Sequence, residues 1–490
     1  MDYVLAIDEG TTGVRALVVD ARGEVVACEY EEIRAVYPRP GWVEFDATAI
    51  WEATLRVCRG ALQTAGAKPK EVKAIGVANQ RATCVAWERA TGKPIHAAIA
   101  WQDTRTADRI AAVLEKGVFT NAMASATKWE WILQNVPGAA RKATAGEICF
   151  GTIDSWLIWN LTGGSVHATD CSNASCTTLY DAIQDGWDGN ALEVLGIPQR
   201  ALPEIRSTSE IYGVTVPQLF GAEVAIGGCA GDQQAAMFGE LGIEKGAVKV
   251  TFGTSGMLDI NVGEFPVFST RGAYPLVLWG LGGQRTYCLE GTVITAGAAV
   301  QWLRDGLGIL ARLEDSATIA AQVHDTGGVW VMPALQGLGT PYMQPEARAV
   351  LGGISRATTR AHIVRAVLEG ITFRSREVLE TLLEDASVDK PERLRVDGGA
   401  ASNDFLLQQL ADIVGIAVER PQSVQASALG AAYLAGLATG VWSTIDAVRD
   451  AWRSGGIFEP RISRDEADDR FTNWRRAIDV ARAGETSPQN

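Results

Sequence analysis

Two α/β domains are the fold class this sequence predicts, on three observations. The chain has 490 residues, more than one hydrophobic core ordinarily organises. It opens a strand–turn–strand twice: "VLAIDEGTTGVRALVVD" from Val4 and "VKVTFGTSGMLDI" from Val248 each run from an apolar strand through Gly-Thr-Thr or Gly-Thr-Ser into a second strand. In both halves, β-branched runs alternate with stretches of helical apolar spacing. The boundary is predicted in "GELGIEKGAV", around Gly239 to Gly246, dividing residues 1–242 from 243–490.

In the first half, Val4–Ile7 and Val14–Val19 read as strands. "DARG" at Asp20–Gly23 is a turn, and "EVVACEY" is a third strand. "ATAIWEATLRVCRGALQTAG" places Trp51, Leu55, Cys58 and Leu62 at helical spacing, and Gly66 stops it. "VKAIGVANQ" is a strand, and "TCVAWERATGKPIHAAIAW" is a hairpin turning at "ATGKP".

In the second half, "GQRTYCLEGTVI" is a strand entering the small-residue helix "TAGAAVQWLRDGL", and "GGVWVMPAL" is a buried strand. "AHIVRAVLEGITFRSREVLETLLED" is a long amphipathic helix with Ile363, Val367, Ile371, Val378 and Leu382 near one face. "RLRVDGG" is a strand ending in Gly-Gly. "SNDFLLQQLADIVG" is a helix capped by Asn403 or Asp404 and stopped by Gly415. "SALGAAYLAGLATG" is a helix of small residues able to approach other backbone closely. From about Arg464 the polar remainder reads as a peripheral helix and tail.

Composition narrows the function. Hydrophobic residues make up 47% and charged residues 21%, ordinary for a soluble globular enzyme. A net charge of −14 argues against a nucleic-acid partner, because phosphate backbones recruit Lys and Arg. A phosphorylated ligand must then be held by backbone N–H groups, hydroxyls, a metal or one or two arginines. No run approaches about 18 uninterrupted apolar residues, so no membrane span is expected. The chain enters a strand at "DYVLAID" without a secretory pattern. Its eight scattered cysteines suit reduced thiols rather than disulfides or structural zinc, and a cytoplasmic location is expected.

A Gly-Thr-Thr turn offers successive N–H groups and two hydroxyls in a small space, which suits an anion; it is equally an ordinary hairpin turn. Asp8 lies beside it, where a lone carboxylate would repel a phosphate unless Mg²⁺ lay between them. Arg15 is either a solvated strand residue or a phosphate contact. Gly253-Thr254-Ser255 is expected to face the first turn across a cleft, so that two copies of one device grip a polyphosphate. "DGGAASN", Asp397–Asn403, is either a tight strand-to-helix connection or a place where a nucleotide approaches backbone. In "IGGCAGDQQAAMFG", Asp232 is either a helix N-cap or a general base that takes a hydroxyl proton as a phosphoryl group arrives.

Taken in order, "DEGTTGVRA", "YPRPGWVEFD", "GVANQRAT", "WERATGKPI", "AWQDTRTA", "TKWEWIL", "GTIDSWLIWNLTGG", "TDCSNAS", "GDQQAAMFG", "FGTSG", "LEGTVITAGAAVQWLRD", "GLGTPY", "VDGGAASNDFL" and "ALGAAYLAGLATG" resemble the FGGY carbohydrate kinases, and among them the glycerol kinases. The resemblance runs nearly end to end. It implies two actin- and hexokinase-like (ribonuclease H-like) domains flanking an ATP–Mg²⁺ cleft, with a sugar or polyol deeper against the N-terminal domain. By position it implies Asp232 as catalytic base and Thr11, Thr12, Arg15 and Thr254 as phosphate contacts. Gly297, Gln301, Gly399 and Asn403 would be nucleotide contacts, and Asp8 the carboxylate supporting Mg²⁺ through water. Arg81, Trp101, Asp232 and Gln233 match polyol-pocket positions.

The departures bear on the acceptor. Glycerol kinases read Asn-Gln-Arg-Glu-Thr where this chain has "NQRAT", so Ala82 replaces a Glu that binds glycerol hydroxyls. The segment before "TKWEWIL" is short and puts Met123 where a glycerol-binding Tyr is expected. Met257 falls where a pocket Phe is usual. Lost hydroxyl partners weaken discrimination for glycerol. The expected reaction is ATP-dependent phosphorylation of a primary hydroxyl of glycerol or a related small polyol. The alternatives are a tetritol, pentitol or pentulose acceptor and, in another class, a non-catalytic nucleotide or sugar sensor. A chaperone or filament ATPase shares the fold, but no β-rich peptide-binding domain is appended. A homodimer or tetramer is expected.

Overall fold

Strand Tyr3–Gly10 is the axis of the first half: it pairs antiparallel with Gly13–Asp20 on one side and parallel with Val72–Asn79 on the other. In this computed structural model, which describes residues 2–423 and 425–483, the chain divides into two compact units. Unit 1 holds residues 1–241, 276–286 and 425–452; unit 2 holds residues 242–275, 287–424 and 453–490.

In unit 1, Val25–Glu32 pairs with Gly13–Asp20, while Ala225–Gly231 runs parallel to Val72–Asn79 and is flanked by Ser209–Val214. The order is a three-strand antiparallel meander, then two parallel strands, then an antiparallel one. Unit 2 repeats it. Gln284–Val293, Gly256–Gly263 and Val248–Phe252 form the meander; Arg393–Asp397 and Ala417–Pro421 are the parallel strands; Ser454–Phe458 closes the order. The duplication seen in the two Gly-Thr turns therefore extends to a whole sheet topology.

Val4, Leu5, Ala6 and Ile7 are fully buried, as are Val14 and Ala16 through Val19. These central strands carry apolar side chains on both faces because helices cover both. Helix Ala47–Ala65 is capped by Asp46, whose carboxylate accepts from the Thr48 and Ala49 amides, and ends at left-handed Gly66. Its buried stripe is Ile50, Ala53, Thr54, Val57, Cys58 and Ala61, while Trp51, Leu55 and Leu62 are only half-buried. The helix is thus rotated by about one position from the apolar spacing, because small residues fit closest to the sheet.

The expected hairpin at "ATGKP" keeps its turn, with the Glu88 amide donating to Lys93 O at 2.9 Å. Its first arm, Val85–Glu88, pairs mainly with Ile148–Gly151, and the return arm is mostly irregular. "GGVWVMPAL" yields only a short strand, Trp330–Met332. Helix Arg360–Ala386 is not two-faced: its middle is buried all round, Arg374 and Glu377 included, so its apolar stripe understates how deeply it sits. Helix Arg464–Ala483 is also less peripheral than its polarity suggests. Phe471, Trp474 and Ile478 pack with Phe373, and the Trp474 indole donates to Val331 O. The expected tail beyond it lies outside the described residues.

Helix Ala426–Thr439 belongs to unit 1, and its small residues explain why. A Cβ on Gly430 would lie 1.8 Å from Ala235 O, and one on Gly239 would lie 2.2 Å from Ala426 O. Backbone meets backbone here, which only glycine permits. That contact fixes helix Asp232–Gly239 against the sheet and so fixes where Asp232 stands. All eight cysteines are free thiols, and no described helix is long and apolar enough to cross a membrane.

Candidate active site

Three parallel strands of unit 1 deliver their carboxyl ends to one edge. Glu9 and Gly231 both lie in register with Asn79, so the turn after Gly10, the segment Gln80–Thr83 and helix Asp232–Gly239 start side by side. In α/β sheets this is where ligands bind.

At the first strand end, Asp8 Oδ2 lies 3.8 Å from Arg15 Nη1, its register partner on the next strand. Thr11 is half-buried and Thr12 exposed. The Tyr30 hydroxyl donates to Thr12 O at 3.2 Å, and the Arg15 guanidinium lies 5.4 Å from the Tyr30 ring centre. A Cβ on Gly13 would come within 2.5 Å of Glu31 O, so glycine lets the turn close against the third strand.

Asp232 is not the N-cap of its helix. Gly231 occupies that position without a capping side chain, and Asp232 is the first helical residue. A carboxylate in the first turn is favoured by the helix dipole. Its Oδ1 accepts from the Gln233 amide at 2.8 Å and lies 3.3 Å from Arg81 Nε. Its side chain is 30% exposed, so it is held but not walled off. Arg81 Nη1 contacts Cys176 Sγ at 3.9 Å, and Gln234 Nε2 reaches the same sulfur at 3.7 Å. Gln233 is half-buried.

Ala82 has φ = 60°, in the left-handed region that side chains rarely adopt, and is buried; its carbonyl accepts from Ser125 Oγ at 3.2 Å. Trp101 Nε1 donates to Thr11 Oγ1 at 3.0 Å, tying an expected polyol residue to an expected phosphate residue. Met123 is exposed. Beneath both, the buried Lys128 ammonium donates to Trp101 O at 3.0 Å and Met123 O at 2.8 Å, and burial pulls its pKa down to about 8.

The sequence reading passed over Glu9, Gln80 and Thr83. Glu9 is fully buried, and burial raises its pKa well above the carboxylate range, with the Asp8 and Asp232 charges adding. Its Oε1 accepts from Gln80 Nε2 at 3.1 Å; among the described residues Oε2 has no hydrogen-bond partner. The available signals were a second acid directly after Asp8 in "DEGTT" and the polar run "NQRAT".

In unit 2 the turn Gly253–Ser255 is held by main chain. The Gly297 amide donates to Gly253 O at 3.0 Å and the Ala298 amide to Thr254 O at 3.0 Å, so the turn rests on the start of helix Gly297–Asp305. A Cβ on Gly297 would lie 2.4 Å from Gly253 O. Thr254 is exposed, as is Gln301 on that helix. Met257 lies across the sheet from Thr251 and Thr292. Gly399 is exposed with open space above it. Asn403, rather than Asp404, caps helix Asp404–Val414: its Oδ1 accepts from the Leu406 amide at 2.9 Å, and its Nδ2 donates to Ser316 Oγ at 3.1 Å. Hydrogen bonds and ion pairs thus link Asp8 with Arg15, Trp101 with Thr11, Arg81 with Asp232, and Gly297 with the Gly253–Thr254 turn. Gln301 and Gly399 stand without such links in the contacts above.

Residues 3–239 match the N-terminal domain of the FGGY family of carbohydrate kinases, and residues 248–439 match its C-terminal domain. Glycerol kinase 2 of Thermotoga maritima is 46% identical over 488 residues, covering 98% of each chain. A glycerol kinase of Deinococcus radiodurans is 46% identical over 98% of this chain and 97% of its own. Among solved structures, the glycerol kinase of Plasmodium falciparum with ADP superposes with a TM-score of 0.92 at 31% identity, covering 98% of each chain. A xylulose kinase of Lactobacillus acidophilus, TM-score 0.87 at 20% identity over 99% of each chain, shares the fold. The chain belongs to the FGGY family of carbohydrate kinases.

Proposed function

We propose that this FGGY-family chain transfers the γ-phosphoryl group of ATP to a primary hydroxyl of glycerol. The observation that supports it most is Asp232: a half-exposed carboxylate at a strand end, clamped by Arg81, in the same unit as the Gly10–Thr12 turn. Phosphoryl transfer asks the protein mainly to position reactants and to stabilise charge. Asp232 orients the acceptor hydroxyl and takes its proton. Within unit 1, Arg81, Trp101 and Gln233 form the acceptor pocket, with Ala82 and Met123 as its apolar lining; in unit 2, Met257 stands on the strand that follows the Gly253–Ser255 turn. Thr11, Thr12, Arg15 and Thr254 hold phosphate oxygens, and Gly297, Gln301, Gly399 and Asn403 contact the nucleotide. For Asn403 that contact is limited to what its cap bonds leave free.

Mg²⁺ fits this chain's residues. Asp8 is a half-buried carboxylate at a strand end beside the Gly10–Gly13 turn, an oxygen donor of the kind a hard divalent cation takes. When bound, the ion would be held through Asp8 and would offset phosphate charge. The enzyme is read as a cytoplasmic homodimer or tetramer, which light scattering of the purified chain tests.

The deciding experiment couples ADP release to glycerol, using purified chain, Mg–ATP and a panel of triols, tetritols, pentitols and ketoses. Glycerol-dependent release is expected. Release that answers only a longer polyol or a ketose would overturn the acceptor, and no acceptor-dependent release at all would leave a sensor.

A further inference from the structure

Six residues of unit 1 form a ring of hydrogen bonds that the chain itself closes through Gly10. The Gln80 amide donates to Glu9 O at 2.6 Å, and its Nε2 donates to Glu9 Oε1 at 3.1 Å and to Gly10 O at 3.4 Å. With Nε2 facing the turn, Gln80 Oε1 faces away and accepts from Thr83 Oγ1 at 2.8 Å. Thr83 Oγ1 in turn accepts from the Trp101 main-chain amide at 3.1 Å. The Trp101 indole N–H donates to Thr11 Oγ1 at 3.0 Å, and Gly10 joins Thr11 to Glu9 through the chain. Glu9, Gln80 and Thr83 are 0–1% exposed, so water does not compete with these bonds.

Each hydroxyl in the ring has one direction available for its proton. A hydroxyl has a single proton and two acceptor sites. Thr83 spends its proton on Gln80 and accepts from Trp101. Thr11 accepts from the indole, so its own proton points elsewhere. We propose that Thr83 and Gln80 are positioning residues for the phosphate turn: they hold Trp101 where its indole fixes the Thr11 hydroxyl as a donor to a phosphate oxygen. This rests on the reading of Thr11 as a phosphate contact. A donor oriented before the ligand arrives needs no reorganisation when it binds, which is where such a device gains its effect. It also explains a buried threonine at a place where valine would fill the same volume.

The test uses the full chain and a non-hydrolysable ATP analogue with Mg²⁺, titrated by calorimetry without any acceptor. Thr83→Val strips the hydroxyl and leaves Gln80 Oε1 and the Trp101 amide unpaired. Analogue binding is expected to weaken by about 5- to 20-fold, the worth of one to two lost hydrogen bonds. Thr83→Ser keeps the hydroxyl and opens a methyl-sized hole. It should bind within about 2-fold of wild type although its thermal midpoint also falls. A merely structural threonine would rank the two variants by stability instead. On a Thr11→Val background, Thr83→Val should add less than about a further 2-fold, since it acts through that hydroxyl. Wild-type affinity in Thr83→Val, equal losses in Ser and Val, or losses that multiply in the double variant would each overturn the proposal. If Thr83→Val does not fold, Thr83→Ala strips the same hydroxyl and is read the same way. A wild-type chain that binds the analogue yet leaves glycerol untouched refutes the acceptor and leaves this comparison decisive. One that does not bind the analogue sinks both.

Discussion

At the Gly10–Gly13 turn, side chains add to the main-chain bond from the Ile33 amide to Thr12 O: Trp101 binds Thr11, Tyr30 binds the same Thr12 carbonyl and Arg15 pairs with Asp8. At the Gly253–Ser255 turn, main chain does the holding, through the amides of Gly297 and Ala298. The two turns share a sequence pattern and a place in the same strand order, yet one is tuned by side chains and the other braced by a helix start. The difference follows from what stands beside each. Unit 1 also presents Arg81, Trp101 and Asp232, so its turn is wired by the Trp101 indole to the residues proposed to take the acceptor. Unit 2 presents exposed backbone and small residues, which suit a nucleotide held mostly by shape and N–H groups.

The comparison can be broken from either side. The largest effect is expected at Asp232: Asp232→Asn should lower kcat by about 10²-fold or more while Mg–nucleotide affinity stays within about 3-fold. Near-normal turnover would remove the base and with it the asymmetry between the units. Next comes Gly297→Ala. Its Cβ meets Gly253 O at 2.4 Å, so the turn must shift, and KM for ATP should rise by roughly 10-fold with a smaller change in kcat. An unchanged KM would show that the braced turn is not part of the nucleotide site. Trp101→Phe removes the indole N–H to Thr11 together with one ring of the indole and should cost at least about 3- to 10-fold in kcat/KM, the worth of the one net hydrogen bond.

The smallest effect is a control far from the turn. His167 Nε2 donates to Phe150 O and its Nδ1 faces the Arg89 guanidinium, so burial and that charge hold its pKa down, at about 4. A base whose folded pKa is depressed leaves stability intact above its usual 6.5 and loses it as pH falls toward 4. His167→Gln should therefore shrink the stability lost between pH 6.5 and pH 4 by about 3 kcal/mol, seen as urea midpoints, with neutral-pH activity unchanged. An activity loss would mean that the Trp87 and Trp159 rings packed edge-on against His167 reach the site after all.

Much of this was legible along the chain. The paired turns, Gly66 and Gly415 as helix stops, the helix start at Asp232 and the small-residue helix "SALGAAYLAGLATG" are local signals: turn chemistry, period and size. Glu9, Gln80 and Thr83 were not legible, because each is ordinary alone. Gln80 and Thr83 gain meaning only once Trp101, on another segment, closes the ring. The stripe on helix Ala47–Ala65 was misread for a related reason: apolar size marks a face, but close approach to a sheet selects small residues, which carry little hydrophobic signal.

By itself the sequence determined the class of elements, their order and the duplicated turn, because hydrophobic period and turn residues act over a few neighbours. Only the tertiary structure decided that residues 425–452 return to unit 1, that Asp232 is a first-turn residue gripped by Arg81, and which proton each buried hydroxyl gives away. Those are relations between segments far apart in the chain. They are set by backbone contact and by the cost of leaving a buried polar group unpaired, neither of which any one segment carries.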